Sequence, residues 1–344
     1  MSLIVSDPTI EGMTTESAPL PTAGPIAALT GRADPRLLAA AGCLCIALTS
    51  VLIKVSGASG ATSAFWRCAL ALPLLAVLAF SEARRTRVRA KILLPLLAGL
   101  GLGLDFVLWG EAIPRVGAGV ATMLLSVQVV IVPLLAFVFL KERPDPRFKF
   151  VAPTLIGGIV LAGGVFGSST TGSNPVLGLV FALAAGAGYS GYLLLLRLSS
   201  SPATQVRSLS LATVSAGFVS VVLGLPFGRL DLAPSLPSLG WFAALAIVGQ
   251  VVGWLLIAGA LPRLAASTGA TMMLLQPVGA VAFGFLLLSE RPGALQLVGC
   301  VIVLAAVCFA GRGAAKKPAV QSSARLSPTA SSSPRAMSLN SSRR

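Results

Sequence analysis

The sequence predicts an all-α membrane protein of ten transmembrane helices arranged as two inverted five-helix repeats. Three observations predict it. Of the 344 residues, 55% are hydrophobic and only 11% charged, where a soluble domain carries about a quarter charged; the bilayer is the solvent of this chain. Residues 112–144 (AIPRVGAGVATMLLSVQVVIVPLLAFVFLKERP) align without a gap on 260–292 at a constant shift of 148. Eleven positions are identical, among them Pro114, Arg115, Gln128, Glu142, Arg143 and Pro144, and apolar bias alone does not repeat such residues in register. Finally, the basic residues fall between apolar runs with a marked asymmetry of side.

Apolar windows of about 17 to 25 residues give the spans in order. The first, 37–53, is closed by Lys54; the second, 62–80, carries Arg67 and runs out into five basic residues at 84–91. The third, 92–111, holds Asp105 and Trp109, and the fourth, 117–140, holds Gln128 and Pro133 and ends in Glu142-Arg143-Pro144. The fifth is 150–166. After a Ser/Thr/Gly loop at 167–175, the sixth span, 176–196, carries Tyr189 and Tyr192 and closes on Arg197; the seventh is 209–226. The eighth, 239–260, contains Gln250 and Trp254. The ninth, 264–288, repeats the fourth with Met272, Met273, Gln276 and Pro277 before Glu290-Arg291-Pro292, and the tenth is 295–310. The domain plan is therefore a first repeat over 37–166, a connecting loop at 167–175 on the extracytoplasmic side, and a second repeat over 176–311.

Five spans per copy turn the second copy upside down, and the charges test this. With both termini in the cytoplasm, 21 of the 26 Lys and Arg lie inside, and Arg115, Arg229 and Arg291 outside; Lys54 and Arg67 lie within the membrane. That bias satisfies the positive-inside rule. Corresponding loops on opposite sides differ as inversion requires: five basic residues at 84–91 against Arg229, four at 141–149 against Arg291.

Residues 1–36 are rich in Pro, Thr and Ser with acids at Asp7, Glu11, Glu16 and Asp34. They lack the basic-then-apolar layout of a signal peptide and read as a disordered cytoplasmic tail. Residues 312–344 read as a second such tail, whose basic residues can touch anionic lipid headgroups. The net charge of +15 is scattered between spans and tail, not gathered on a folded face, which excludes nucleic acid. Five cysteines lie in apolar runs as small hydrophobes. With no histidine, imidazole-based catalysis, metal sites and proton relays are excluded, and no Walker A sequence exists. No catalytic residue, metal or cofactor is expected. The glycines Gly186, Gly188 and Gly191 spell GxGxxG inside a span, where they read as close helix packing, as do Gly99, Gly101 and Gly103.

Charges within hydrocarbon cost roughly 2.5–3.5 kcal/mol each on insertion scales and face a cavity or a partner. Lys54, Arg67 and Asp105 are such charges and form a candidate ion-paired cluster, with Asp105 as proton-coupling element and Arg67 as its partner and carboxylate anchor. Asp105 and Trp109 are four apart and share a helix face. Gln128 and Gln276 are the repeat-related amides near the middle of their spans, and Pro277 and Pro133 offer helix breaks beside them. With Tyr189, Gln250 and Trp254 these complete the candidate substrate site; a static packing role for the cluster is the competing reading, as is snorkelling for Lys54. The two Glu-Arg-Pro segments read as helix ends at the membrane surface.

These residues bring out a resemblance. The duplicated Glu-Arg-Pro ends, Arg67 in the second span, Lys54 closing the first, Arg197 closing the sixth and Pro277 thirteen residues before Glu290 resemble the EamA-type permeases of the drug/metabolite transporter superfamily, over residues 37–310. The resemblance implies a secondary transporter in the cell membrane with a cavity between its halves, exporting amino acids or related metabolites. The sequence reading therefore expects a permease for a small polar or amphipathic solute, working by alternating access. Its rivals are an uncoupled facilitator and, from another class, an intramembrane lipid-handling enzyme or a membrane receptor. The expected partners are the small-molecule substrate and the lipid bilayer, with a homodimer left open.

Overall fold

The computed structural model describes residues 33–314 except 87, 89–90, 166–172, 200–202, 227 and 265. The expected tails therefore lie almost wholly outside the described residues, as does most of the 167–175 loop. Ten helical segments follow: α1 (Pro35–Ser56), α2 (Gly60–Arg85), α3 (Leu93–Val116), α4 (Ala118–Leu140), α5 (Phe148–Ala162), α6 (Pro175–Ser199), α7 (Gln205–Gly224), α8 (Leu236–Ala260), α9 (Ala266–Met273 and Leu275–Leu288) and α10 (Ala294–Ala314). Among the described residues nine of these are long and apolar enough to cross a membrane. The exception is α5, whose 15 residues rise about 22 Å at about 1.5 Å per residue, shorter than the expected span at 150–166. It stops at Ala162 because Gly163 and Gly164 follow, the latter in the left-handed region at φ 72°.

Local chemistry sets the ends. Asp34 opens α1 by accepting from the Arg36 amide at 2.8 Å, with Pro35 in the first turn, where a missing N–H costs nothing. Helix α1 thus starts two residues before the expected span. The repeat is visible in backbone detail: α4 and α9 both end on a non-glycine residue in the left-handed region, Lys141 at φ 56° and Ser289 at φ 52°. In each, the next amide turns back, from Glu142 to the Ala136 carbonyl and from Glu290 to that of Gly284. That left-handed cap ends each helix ahead of its Glu-Arg-Pro.

The helices run alternately between two ends of one bundle. At the near end, where the described chain begins, the Thr86 hydroxyl donates to the Ala203 carbonyl and Arg263 to the Ala33 carbonyl. At the far end the Ser173 amide bonds the Pro114 carbonyl. Described residues of both termini lie at the near end, and the connection between repeats lies at the far end, so the repeats are inverted. They interlock: α3 packs on α6 and α7, α1 packs on α8 and α9, and α4 packs on α6 and α9. Helices α5 and α10 form an outlying pair. Large apolar side chains such as Phe139, Phe218, Leu286 and Val301 stay on the outside, as a lipid-facing surface requires.

Glycine makes the α3 crossings possible. A Cβ on Gly101 would stand 2.5 Å from the Gly188 carbonyl oxygen, and one on Gly188 would stand 2.7 Å from that of Gly101. Backbone cannot swing away as a side chain can. Gly101→Ala should cost about 1–3 kcal/mol, the usual range for overpacking, read as a lower melting temperature in detergent. Gly191→Ala, with nothing within 4 Å, should not lower it.

Candidate functional site

Between the repeats lies a cavity of about 310 Å³, at the low edge of the roughly 300–1,000 Å³ usual for small-molecule sites. It draws on both halves: Arg67, Asp105, Trp109 and Gln128 from the first, Tyr189, Trp254 and Gln276 from the second. Seven of the expected site residues are thus brought together. Its lining extends to Ala310 and Gly311, toward the near end of α10.

Two helix interruptions shape its middle. Helix α4 tightens into a 3₁₀ turn at Leu125–Val127 immediately before Gln128. Helix α9 is interrupted at Leu274, between Met273 and Leu275, immediately before Gln276. These breaks correspond under the 148-residue shift, so the fold presents the two amides on matching discontinuities. Repeat-related broken helices are the usual mark of a transporter binding site. The breaks precede the prolines: Pro277 lies in the first turn of Leu275–Leu288, where its missing donor costs nothing.

Arg67 is 3% exposed and held on two sides, by Gln250 and Phe106. Its Nε donates to Gln250 Oε1 at 3.0 Å, Gln250 Nε2 donates to Thr213 Oγ1 at 2.9 Å, and its guanidinium lies 3.9 Å from the Phe106 ring centroid. Gln250 itself rides on a π-helical stretch, Leu245–Gly253, within α8; such widened turns recur at functional sites. Gln250 is wholly buried and does not line the cavity, so its role is to position Arg67. Tyr189, Tyr192 and Trp254 form an aromatic wall, with centroids 5.8 to 6.5 Å apart; Tyr192 is fully buried behind it.

What remains is a set of polar atoms facing the cavity with no protein partner. Asp105 Oδ1, Gln128 Oε1 and Trp109 Nε1 are buried without a hydrogen bond among the described residues. Such atoms are rare in folded chains and call for an explanation. By contrast the cavity hydroxyls of Thr49 and Thr122 bond back to the carbonyls of Ile46 and Ala118. Gln276 Nε2 has only soft contacts, to Cys43 Sγ and Met273 Sδ at 3.9 Å.

A model of the EamA-like transporter family matches residues 36–164 and again residues 176–312. The chain belongs to the EamA-like transporter family. Among curated proteins, "Uncharacterized transporter YcbK" of Bacillus subtilis (strain 168) is 25% identical over 272 residues, 75% of this chain and 86% of its own. A solved crystal structure aligns with a TM-score of 0.49 at 16% identity, over 80% of this chain and 96% of its own. This protein is thus a multi-pass membrane transporter.

The expected Lys54, Arg67 and Asp105 cluster needs correction. In this EamA-like transporter Lys54 Nζ pairs with Glu290 Oε1 at 2.5 Å at the far end, outside the cavity. Arg67 and Asp105 both line the cavity, but no ion pair joins them. Snorkelling does not describe Lys54 either, since its partner side chain is only 3% exposed. Nor is Glu290 a surface helix end: it also accepts from the Ala118 and Gly119 amides at 2.8 and 3.3 Å, capping α4. Glu142 does meet water, 49% exposed in a two-point pair with Arg197.

Sequence reasoning missed Phe106, Thr213 and the Lys54–Glu290 pair. The signal for the last was present: Lys54 and Arg197 each close the first helix of their repeat, and Glu290 and Glu142 each follow the fourth.

Removing Gln250 leaves Arg67 Nε without its acceptor and takes one donor from Thr213 Oγ1, whose own bond to the Leu209 carbonyl remains. Gln250→Leu should lower stability by about 1–3 kcal/mol, read by thermal melting in detergent. Combined with Thr213→Val the loss should be less than additive.

Proposed function

We propose that this transporter moves a zwitterionic amino acid, or a close relative of one, by alternating access of its two repeats. The observation that carries this reading is the pairing of unmet polar groups in one apolar cavity. Arg67 and Trp109 Nε1 offer donors for a carboxylate; Asp105 and Gln128 Oε1 offer acceptors for an ammonium. Phe106, Trp254, Tyr189 and Val129 leave an apolar wall for a hydrophobic side chain. A solute bearing both charges satisfies the site at each end, whereas one bearing a single charge leaves buried groups unpaired.

Asp105 also supports proton coupling. Its carboxyl can hold a proton or the ammonium of the solute, not both, so occupation by one releases the other. The charge asymmetry of the loops supports cytoplasmic termini, which makes the near end the cytoplasmic side. We read the transport as outward across the plasma membrane, with the solute entering from the near end, toward which the cavity lining extends at Ala310 and Gly311.

Purified protein in liposomes tests this. Counterflow of a labelled hydrophobic amino acid should be saturable and accelerated by an imposed pH gradient. Asp105→Asn should abolish the acceleration while exchange of unlabelled for labelled solute continues. Flux in the wild type that ignores the gradient makes the protein a facilitator; no flux of any amino acid rejects the assignment.

A further inference from the structure

The two ends of the bundle carry the same device in different states. At the far end Lys54, closing α1 of the first repeat, pairs with Glu290, which follows α9 of the second. At the near end Arg197, closing α6 of the second repeat, pairs with Glu142, which follows α4 of the first. Each pair joins the repeats, and inversion maps one onto the other. Their surroundings differ. Glu290 is 3% exposed at its side chain and clamps the amides of Ala118 and Gly119, whereas Glu142 is 49% exposed and spends both oxygens on Arg197.

The repeat register says what the near-end pair does when that end closes. Under the 148-residue shift Ala118 and Gly119 correspond to Ala266 and Ser267, the first residues of α9. We infer that Glu290 and Glu142 are alternating locks: Glu290 caps α4 and seals the far end in the state seen here, and Glu142 caps α9 at the Ala266 and Ser267 amides and seals the near end in the opposite state. Lys54 and Arg197 are positioning residues that hold each carboxylate at the mouth of its helix. Only one lock closes at a time, because closing either end of the cavity requires the repeats to rock apart at the other. Glu111 also caps a helix, accepting from the Gly60 amide at 3.0 Å, but its counterpart under the same shift is Gly259; it has no partner lock. This inference rests on the alternating-access reading and adds which atoms make and break contact.

One feature argues against a merely static cap: both copies keep the carboxylate and its cation, yet only Glu290 caps a helix, while Glu142 stands in water, where exposed pairs contribute about 0–1 kcal/mol.

Amide hydrogen exchange with mass spectrometry on the full chain in nanodiscs tests it, following peptides that cover residues 117–124 and 266–273. Glu290→Gln should speed exchange in 117–124 and slow it in 266–273. Glu142→Gln should do the reverse, each by about tenfold, the population shift expected from one charge-assisted contact. Should Glu290→Gln fail to fold, Lys54→Gln and Arg197→Gln carry the same opposed signs. Responses confined to the helix nearest each substitution show static caps and overturn the inference. Flux by the wild type, measured in parallel, separates the two failures. A protein that transports without opposed responses refutes the locks alone; one that transports nothing refutes the locks and the permease reading together.

Discussion

Hydrocarbon supplies no hydrogen bonds, so the charged groups that this chain carries into the membrane are held by the chain or face its cavity; the buried polar atoms without a partner away from the cavity are, among the described residues, the hydroxyls of Ser63, Tyr192 and Ser208. That constraint orders the whole architecture. Glu290 closes on the start of α4 and on Lys54, Glu82 closes on the Val206 and Arg207 amides at the start of α7, and Gln250 links Arg67 to Thr213. Each of these contacts crosses from one repeat to the other, except the Gln250–Thr213 bond within the second. The polar groups that stabilise the fold are thus also the groups that bind the halves together.

Against that background the unmet atoms stand out. Asp105 and Trp109 are as deeply placed as the satisfied residues around them and Gln128 is half-buried, yet each keeps a buried atom without a partner in the protein. Arg67 is fixed by an aromatic face and one side-chain oxygen, which orients its charge without neutralising it. Orientation without neutralisation leaves the guanidinium available to a solute. The matching breaks in α4 and α9 bring Gln128 and Gln276, on oppositely directed helices, to one cavity, which is the geometric consequence of duplication followed by inversion.

Much of this was legible in the residues. The shift of 148 exposed the duplication, loop charges exposed the inversion, and the Asp105–Trp109 spacing placed both on the face that meets the cavity. Arg67 and the paired glutamines were recognisable because polar groups in apolar runs are costly. What escaped was contact between distant segments. Nothing local to Lys54 distinguishes Glu290 from Asp105 as its partner; the repeat-related Arg197 and Glu142 hint at it, and the packing of α1 against α9 decides it. The π-helical stretch under Gln250 was equally hidden, since its nine residues read as an ordinary apolar helix. The short α5 was missed because hydropathy continues through Gly163 and Gly164 although the helix does not.

The central claim is that the cavity recognises both ends of a zwitterion. Tryptophan fluorescence of the purified protein measures this directly, since Trp109 and Trp254 line the cavity. Three ligands with the same hydrophobic side chain should be titrated: the amino acid, its decarboxylated amine and its deaminated acid. The account predicts a saturable change for the amino acid and binding at least about tenfold weaker for each single-charge analogue. Equal affinity for all three, or a change that never saturates, would contradict it.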